Sequence, residues 1–299
     1  MTRIVAVFVL LNILAGQAQA PAQNPKAADL RRQFGERLNA IADGLDGVMG
    51  YAIVDLTSGE RVDRHATEAF PTASTIKLAI LYELFRQADE GRIRLDATRT
   101  LDRRHAVAGT GILNDLTTPT LSLRDYATLM IVLSDNTATN VLIDLVGMDS
   151  VTKRMAALGL TGTRLRRRMI DIDAARRGDE NVSTPAEIAR LLEIVHRGDG
   201  LTKDSRESLL AILKKPKSSA MRAAIPEDTA VASKPGTLEG VEVDAGIVYV
   251  AGRPYVQAVM TTYLKDNAAG EAAIRSASQA AFEYFSRLAK SSEYGRAIR

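Results

Sequence analysis

Three short motifs follow one another along the chain, and their side chains can together perform acyl transfer. The motifs are Ser74-Thr-Ile-Lys77, Ser134-Asp-Asn136 and Lys234-Pro-Gly-Thr237. A serine hydroxyl can act as a nucleophile, and a lysine amine that has lost its proton can act as the base that activates it. The chain has no cysteine and only three histidines, none of them in a recognisable catalytic setting. The residue types therefore favour a serine nucleophile activated by lysine.

The first motif stands at the start of a predicted helix, because apolar residues recur at helical spacing over residues 74–88. Positions i and i+3 share a helix face, so we expect the Lys77 amine to lie within reach of the Ser74 hydroxyl. The N–H groups at the helix start add partial positive charge, and burial beside another cation lowers the pKa of a lysine. The motif alone is weak, because Ser150-Val-Thr-Lys153 has the same pattern and is interpreted as an ordinary helix surface.

The second motif lies at the junction between two helical patterns. A hydroxyl such as that of Ser134 can pass a proton to a leaving nitrogen, and the Asn136 amide can hydrogen-bond a substrate amide. The alternative interpretation is a helix N-cap, a position that the same residue types favour.

The third motif begins a predicted strand. Lys234 offers positive charge to a substrate carboxylate, Gly236 lets a ligand approach the backbone, and Thr237 offers an N–H group and a hydroxyl. Pro235 has no N–H group to donate, so we expect it on the open edge of a sheet. The alternative interpretation is an ordinary turn before a strand. The order of the three motifs, each at a structural junction, favours the catalytic interpretation.

The elements that must position these motifs form two groups. Strand patterns at residues 48–56, 61–65, 230–233, 241–250 and 254–263 flank a middle region with helical spacing, and further amphipathic helices are predicted at residues 29–45 and 272–288. This pattern predicts an α+β fold, an α/β sandwich in which an antiparallel sheet is flanked by helices beside an all-helical lobe. We expect one two-lobed domain over residues 29–299, with an α/β lobe at about 29–70 and 222–299 and a helical lobe at about 71–221.

The N-terminal residues form a separate segment. A basic start, an apolar run over residues 4–15 and small residues after it are typical of a secretory signal peptide, which we assign to residues 1–22, followed by a leader at 23–28. The alternative is a retained anchor, but the run is shorter than the roughly 20 apolar residues that span a bilayer. We therefore expect a periplasmic or secreted protein with no stable membrane anchor. Without cysteine it has no disulfides.

Composition and missing motifs limit the possible partners. The net charge of +3 is slight and spread along 299 residues, which gives little support for nucleic-acid binding. The sequence contains no His-Glu-x-x-His motif and no Gly-x-Ser-x-Gly elbow. We expect a monomer that acts on a small molecule with neither a metal nor a cofactor.

The motifs and their surroundings resemble the penicillin-interacting serine enzymes, and among them the class A β-lactamases. Phe70-Pro-x-x-Ser-Thr-x-Lys77 and Ser134-Asp-Asn-Thr-Ala-Thr-Asn140 are close to the class A pattern. The resemblance runs from about residue 29 to the C-terminus and implies a site in the cleft between two lobes. It implies these roles: acylation at Ser74, a base or part of a base relay at Lys77, a proton shuttle at Ser134, binding of the substrate side-chain amide by Asn136, binding of the substrate carboxylate by Lys234 and Thr237, and an oxyanion hole from the backbone N–H groups of Ser74 and Thr237.

One departure from the class A pattern concerns release of the acyl group. Class A enzymes carry a Glu-x-x-Leu-Asn segment whose glutamate activates the water, and here that segment falls on Met169-Ile-Asp-Ile-Asp173. A thioether cannot take a proton from water. Asp171 or Asp173 could substitute, but we favour the alternative that they pair with the arginines at positions 164 and 166–168 to fix the loop.

A second departure concerns the substrate carboxylate. Pro235 replaces a threonine or serine, and the neighbouring strand carries Glu242 and Asp244 where an arginine would help. Arg222 is a candidate helper, although a structural ion pair is the favoured interpretation.

Three functions therefore remain open. One is a β-lactam hydrolase with slow release of the acyl group. The second is a D-alanyl-D-alanine carboxypeptidase or related peptidoglycan enzyme. The third is a penicillin-binding protein that is acylated and does not hydrolyse the adduct. The scaffold favours the first, and Met169 favours the other two.

Overall fold

A computed structural model of the protein describes residues 25–298, and the predicted signal peptide at residues 1–22 lies outside these residues. The strands are β1 Val48–Asp55, β2 Arg61–Arg64, β3 Phe70–Pro71, β4 Thr98–Thr100, β5 Thr120–Ser122, β6 Val182–Ser183, β7 Val231–Leu238, β8 Val241–Val248 and β9 Tyr255–Thr262. The main sheet has five of them in the order β2-β1-β9-β8-β7, and every neighbouring pair is antiparallel. This confirms the predicted fold class.

Ten α-helices surround the sheet and fill the second lobe in the described part of the chain. They are α1 Pro25–Asp43, α2 Lys77–Asp89, α3 Leu123–Val132, α4 Asn136–Val146, α5 Met148–Ala157, α6 Ile172–Arg176, α7 Pro185–Arg197, α8 Lys203–Lys214, α9 Ala220–Ala223 and α10 Asn267–Ala289. Two 3₁₀ turns, at Ala73–Ile76 and Arg103–His105, complete the set. No helix among residues 25–298 combines the length and the apolar character that crossing a membrane would need.

The two terminal helices cover one face of the sheet. Their aromatic side chains stack on one another and on the strands, with ring centroids 4.4 Å apart for Phe34 and Tyr284 and 4.2 Å apart for Tyr255 and Phe285. Helix α1 begins at Pro25, so residues 25–28, which we expected to be leader, form its first turn. Helix α9 covers the same face of the sheet, because Ala220 and Met221 pack in the hydrophobic cluster that contains these aromatic side chains. The predicted division between lobes near residue 221 therefore cuts through α9.

The other face of the sheet packs on α7, which joins it to the helical lobe. Thr184 caps this helix and Pro185 occupies its first turn, as the sequence indicates. The Glu187 side chain does not return to the cap, because its carboxylate accepts from Gly162 N–H at 2.8 Å and Thr163 Oγ1 at 2.6 Å. Glu187 thus anchors the start of the segment that connects α5 to α6.

Helix α2 lies at the centre of the helical lobe. Ten of its 13 residues are buried, on all sides of the helix, which explains why residues 78–82 are all apolar. Because α2 is held from every direction, the residue that begins it, Lys77, is held in a fixed position inside the protein. The sheet and α2 together bring the three motifs to one cleft.

Candidate active site

Ser74 lies in the 3₁₀ turn that leads into α2, at the junction of two adjoining cavities of about 390 and 440 Å³. Both cavities are also lined by Thr110. Three lining residues other than glycine have positive φ angles: Ala73 at 45°, Ser134 at 53° and Ile170 at 61°. Such conformations cost energy and cluster at functional sites. The cleft around Ser74 is therefore built from backbone that the surrounding packing holds in strained conformations.

The hydroxyl groups of Ser74 and Ser134 lie 2.9 Å apart, although 60 residues separate them in the sequence. Two lysine amines reach the Ser134 hydroxyl: Lys77 Nζ at 3.0 Å and Lys234 Nζ at 3.1 Å. Lys77 Nζ also donates to the Ser134 carbonyl at 2.7 Å and to Asn136 Oδ1 at 3.0 Å. The structure thus brings together the serine and lysine side chains of the three motifs.

The connection between Ser74 and Lys77 differs from the expected one. We expected direct contact from the i, i+3 spacing, but the hydrogen bonds of the described residues connect them through Ser134. The Lys77 amine is directed instead to the second motif, where it donates to the Ser134 carbonyl and to Asn136 Oδ1. A proton can therefore pass from Ser74 to the Lys77 amine through the Ser134 hydroxyl.

Both lysine side chains are removed from water, with exposed fractions of 0% for Lys77 and 1% for Lys234. Burial lowers the pKa of Lys77 well below its usual value, the charge of Lys234 lowers it further, and Asp135 opposes this effect. Burial also lowers the pKa of Lys234, to about 7. A neutral amine at Lys77 can act as a base near neutral pH.

Asp135, the middle residue of the second motif, is a structural anchor. Its Oδ2 accepts from Ile112 N–H at 2.7 Å and Leu113 N–H at 2.9 Å, and its Oδ1 accepts from Ala138 N–H at 2.8 Å. The capping interpretation thus describes Asp135, while its two neighbours face the cleft. A Cβ on Gly111 would lie 2.2 Å from this carboxylate, so the loop can close over Asp135 only with glycine there.

The third motif lies on the edge strand of the sheet, β7, with Pro235 opposite Asp244. Proline is tolerated there because an edge strand leaves one row of N–H groups unpaired. Lys234 Nζ donates to the Pro235 carbonyl at 2.8 Å. The Thr237 hydroxyl, which the resemblance assigns to the substrate carboxylate, donates to Glu242 Oε2 at 2.9 Å.

At Gly236, strand β7 approaches Ser74 closely. A Cβ at this position would come within 2.6 Å of Ser74 N and 3.0 Å of Ala73 Cβ. The glycine therefore lets the strand lie against the start of the 3₁₀ turn, which brings the backbone N–H groups of Ser74 and Thr237 toward the same region of the cleft. Two N–H groups so arranged can stabilise an oxyanion.

Met169 lines the cleft beside Ser74, at the position that the class A pattern gives to the missing glutamate. The Asn140 amide holds its backbone, with Oδ1 accepting from Met169 N–H at 2.9 Å and Nδ2 donating to the Met169 carbonyl at 3.2 Å. The sequence motif contains Asn140, but its partner lies 29 residues away and was not predicted. Met169 is therefore fixed by its backbone, with an exposed fraction of 7%.

The two aspartates of this loop do not pair with the arginines that we favoured. Asp171 caps α6 by accepting from Ala174 N–H at 2.9 Å, although it also lines the cleft. Asp173 is exposed and lies 3.5 Å from Arg176. The arginines have other partners: Arg164 contacts a carbonyl, Arg166 and Arg167 bind Asp179 and Glu180, and Arg168 binds Asp144.

Arg222 is not placed as a carboxylate helper, because its guanidinium donates to the carbonyls of residues 225–227. Ser218 and Ser219 line the cleft near Lys234 instead, and no sequence motif indicated them. Within residues 25–298, no cluster of three or more His, Asp or Glu side chains is arranged to hold a metal ion.

Comparison with known proteins agrees with this geometry. Residues 33–285 match the model of the "Beta-lactamase enzyme family". Beta-lactamase AST-1 of Nocardia asteroides is 30% identical over 82% of this chain and 77% of its own length. The crystal structure of a β-lactamase from Sphaerobacter thermophilus is similar with a TM-score of 0.76 and 32% identity, over 84% of this chain and 95% of that one. A mutant of PBP-A, solved as an acyl-enzyme complex with penicillin G, has a TM-score of 0.78 and 27% identity, over 86% of this chain and 96% of that one. The chain belongs to the class A β-lactamase family.

Proposed function

We propose that this protein is a serine hydrolase that opens β-lactam rings by forming an acyl-enzyme at Ser74, and that it releases the acyl group slowly. The observation that carries the proposal is the chain of short contacts from Ser74 Oγ through Ser134 Oγ to the two buried lysine amines. The relatives named above support the substrate class, since they are β-lactamases and a protein acylated by penicillin G.

In the proposed acylation, Ser74 Oγ attacks the lactam carbonyl carbon and its proton passes through Ser134 to the neutral Lys77 amine. A C–O bond forms and the ring C–N bond breaks. The leaving nitrogen receives the proton through Ser134, so no proton is gained or lost overall. The backbone N–H groups of Ser74 and Thr237 would stabilise the oxyanion that forms in between.

The substrate carboxylate would bind at the Lys234 end of the cleft. Lys234 supplies the charge, and the hydroxyl groups of Ser218 and Ser219 line the same cavity. At the other end, the Asn136 amide faces the cavity that Met169, Ile170 and Ile172 also line. That end would receive the substrate side chain, with its amide bound by Asn136.

Slow release follows from the side chain at position 169. Hydrolysis of the ester needs a base to take a proton from water, and the Met169 thioether cannot accept one. Asp171 is nearby, but its carboxylate is engaged as a helix cap. The protein would therefore accumulate as the acyl-enzyme.

Intact-mass spectrometry with excess penicillin tests acylation directly. Ring opening retains every atom, so the adduct should add the full mass of the antibiotic. Ser74→Ala should abolish the adduct, while Ser150→Ala, in the other Ser-x-x-Lys pattern, should leave it unchanged. Absence of an adduct on the wild-type protein would end the proposal.

The second candidate function is that of a D-alanyl-D-alanine carboxypeptidase, and the observation that favours it is Met169. A peptide acyl-enzyme can be released by routes that do not need the loop glutamate. A chromogenic cephalosporin trace separates the burst of acylation from turnover, and release of D-alanine from a peptide ending in D-alanyl-D-alanine reports the peptidase. A burst with cephalosporin that is followed by no turnover, together with no release of D-alanine, would assign the protein as a non-hydrolysing penicillin-binding protein.

We also infer that the protein acts outside the cytoplasm as a monomer, after cleavage within residues 18–22. The predicted signal peptide supports export. Mass spectrometry of the exported protein should identify a new N-terminus in that range, and light scattering should give the mass of a single chain.

A further inference from the structure

Asp244 is a buried carboxylate on β8 that the proposed mechanism does not use. Its exposed fraction is 1%, and it lies opposite Pro235 on β7 and opposite Val259 on β9. Its Oδ2 accepts from Met221 N–H at 2.9 Å. Its Oδ1 is buried and has no hydrogen-bond partner among residues 25–298. A buried carboxylate oxygen left unbonded costs free energy, so the position calls for a compensating interaction.

Two lysines interact with Asp244 at longer range than a hydrogen bond, and Lys234 lines the same cavity as Asp244. Lys234 follows Ser233 on β7 at the open edge of the sheet, and Lys217 lies in the segment between α8 and α9, where its Nζ donates to the carbonyls of Leu213 at 2.6 Å and Lys215 at 2.7 Å. Burial raises the pKa of Asp244 to about 6, whereas the Met221 N–H group, the Ser219 hydroxyl and the two lysine amines favour its ionised form. The two lysines belong to different elements of the fold.

Burial, Asp244 and Lys217 also determine the pKa of Lys234. Burial lowers the pKa of Lys234 to about 7, the Asp244 carboxylate raises it, and Lys217 lowers it. The remaining charged groups of this cavity are carboxylates: Glu242, which Thr237 and Asn267 bind, and Glu271 on α10. Asp244 is the group that favours the charged form of Lys234, and Lys217 is the group that opposes it.

We propose that Asp244 is a positioning residue that keeps Lys234 charged, so that Lys234 can bind an anionic substrate and Lys77 can stay neutral. The effect on catalysis rests on the proposed function, whereas the interaction between Asp244 and Lys234 does not. A charged Lys234 attracts the substrate carboxylate. It also lowers the pKa of Lys77, so loss of its charge would impair both substrate binding and the base.

Titration of the Lys234 amine by NMR tests the interaction without any substrate. The signal in protein labelled with ¹⁵N-lysine is assigned by its loss in Lys234→Ala. Asp244→Asn keeps the size of the side chain and an acceptor for Met221 N–H, and it should lower the midpoint of the Lys234 titration by about 1–3 pH units. Lys217→Gln should raise the midpoint. Glu242→Gln, on the same strand, is the matched control and should leave it within about 0.3 pH units.

The kinetic consequence is measured as the rate of acylation by a penicillin from pH 5 to pH 9. In wild type the alkaline limb should fall as Lys234 loses its proton through about pH 7. In Asp244→Asn this limb should move to lower pH, and the rate at pH 8 should fall by about tenfold if the limb moves by about one pH unit. A purely structural role would lower the rate equally at every pH.

The outcomes are separable. An unchanged Lys234 midpoint in Asp244→Asn overturns the inference, whatever the activity. A changed midpoint in a protein that no penicillin acylates supports the interaction and refutes the proposed function. If Asp244→Asn does not fold, the direction in which the midpoint moves in Lys217→Gln decides, since a fall or no change would contradict the arrangement.

Discussion

Replacement of Met169 by glutamate should convert slow release of the acyl group into turnover. Methionine and glutamate are similar in length, and the backbone at this position is held by two hydrogen bonds from Asn140, at 2.9 and 3.2 Å. The new carboxylate should therefore enter the cleft that Met169 lines with Ser74. A positioned general base contributes about 10²–10⁴-fold. That range corresponds to about 3–5 kcal/mol in the barrier to deacylation.

The change also has a cost in stability. The Met169 side chain has an exposed fraction of 7%, so the carboxylate would be largely removed from water. A buried polar group with incomplete hydrogen bonding costs about 1–3 kcal/mol. Each kcal/mol lowers the Tm by about 2–4 °C in a domain of this size class. Activity should therefore be measured well below the Tm of the variant.

The assay is a stopped-flow trace with a chromogenic cephalosporin, in which the burst reports acylation and the following phase reports release. Met169→Glu should leave the burst close to wild type and raise the slow phase by about 10²–10⁴-fold. Met169→Gln is the matched control, because it has the same shape without a basic carboxylate, and its slow phase should stay at the wild-type level. Equal rates of the slow phase in the two variants would refute the placement of residue 169 beside the ester formed at Ser74.

Three further changes test the site. Gly236→Ala would place a Cβ 2.6 Å from Ser74 N. It should lower the second-order acylation rate by about 10²–10³-fold. An acylation rate equal to that of wild type would contradict the close approach of β7 to the 3₁₀ turn. Asn140→Ala removes both hydrogen bonds to the Met169 backbone and should lower the unfolding free energy, measured in urea, by about 1–3 kcal/mol. An unchanged midpoint of urea unfolding would show that other contacts hold the loop around Met169. On the acid side of the pH profile, below the alkaline fall assigned to Lys234, the acylation rate should rise as the Lys77 amine loses its proton, with a midpoint well below pH 10.5. A rising limb that follows an unperturbed lysine would exclude Lys77 as the base.

Much of the fold could be predicted from the sequence because its elements carry local signals. Helix caps such as Thr184, followed by Pro185, mark where helices begin. The strand patterns predicted the sheet, and β1, β8 and β9 end within two residues of the predicted positions. Short-range interactions set these features, so a window of about ten residues contains enough information.

The residue types of the site could also be identified from the sequence, but not the contacts between them. The i, i+3 rule predicted a direct Ser74–Lys77 pair, and the structure connects them through Ser134, which is 60 residues away from Ser74 in the chain. Lys234 reaches the same hydroxyl across 100 residues. Such contacts depend on how the sheet and the helical lobe pack.

The sequence by itself predicted a serine nucleophile, lysine chemistry and the fold class, and it shows that position 169 carries methionine and not glutamate. Only the tertiary structure decided that Asp244 and Lys234 line the same cavity and that Gly236 lies against Ser74. The physical reason is range. Periodicity and capping act between neighbours in the chain, whereas burial and charge act between neighbours in space, and folding alone decides which residues those are.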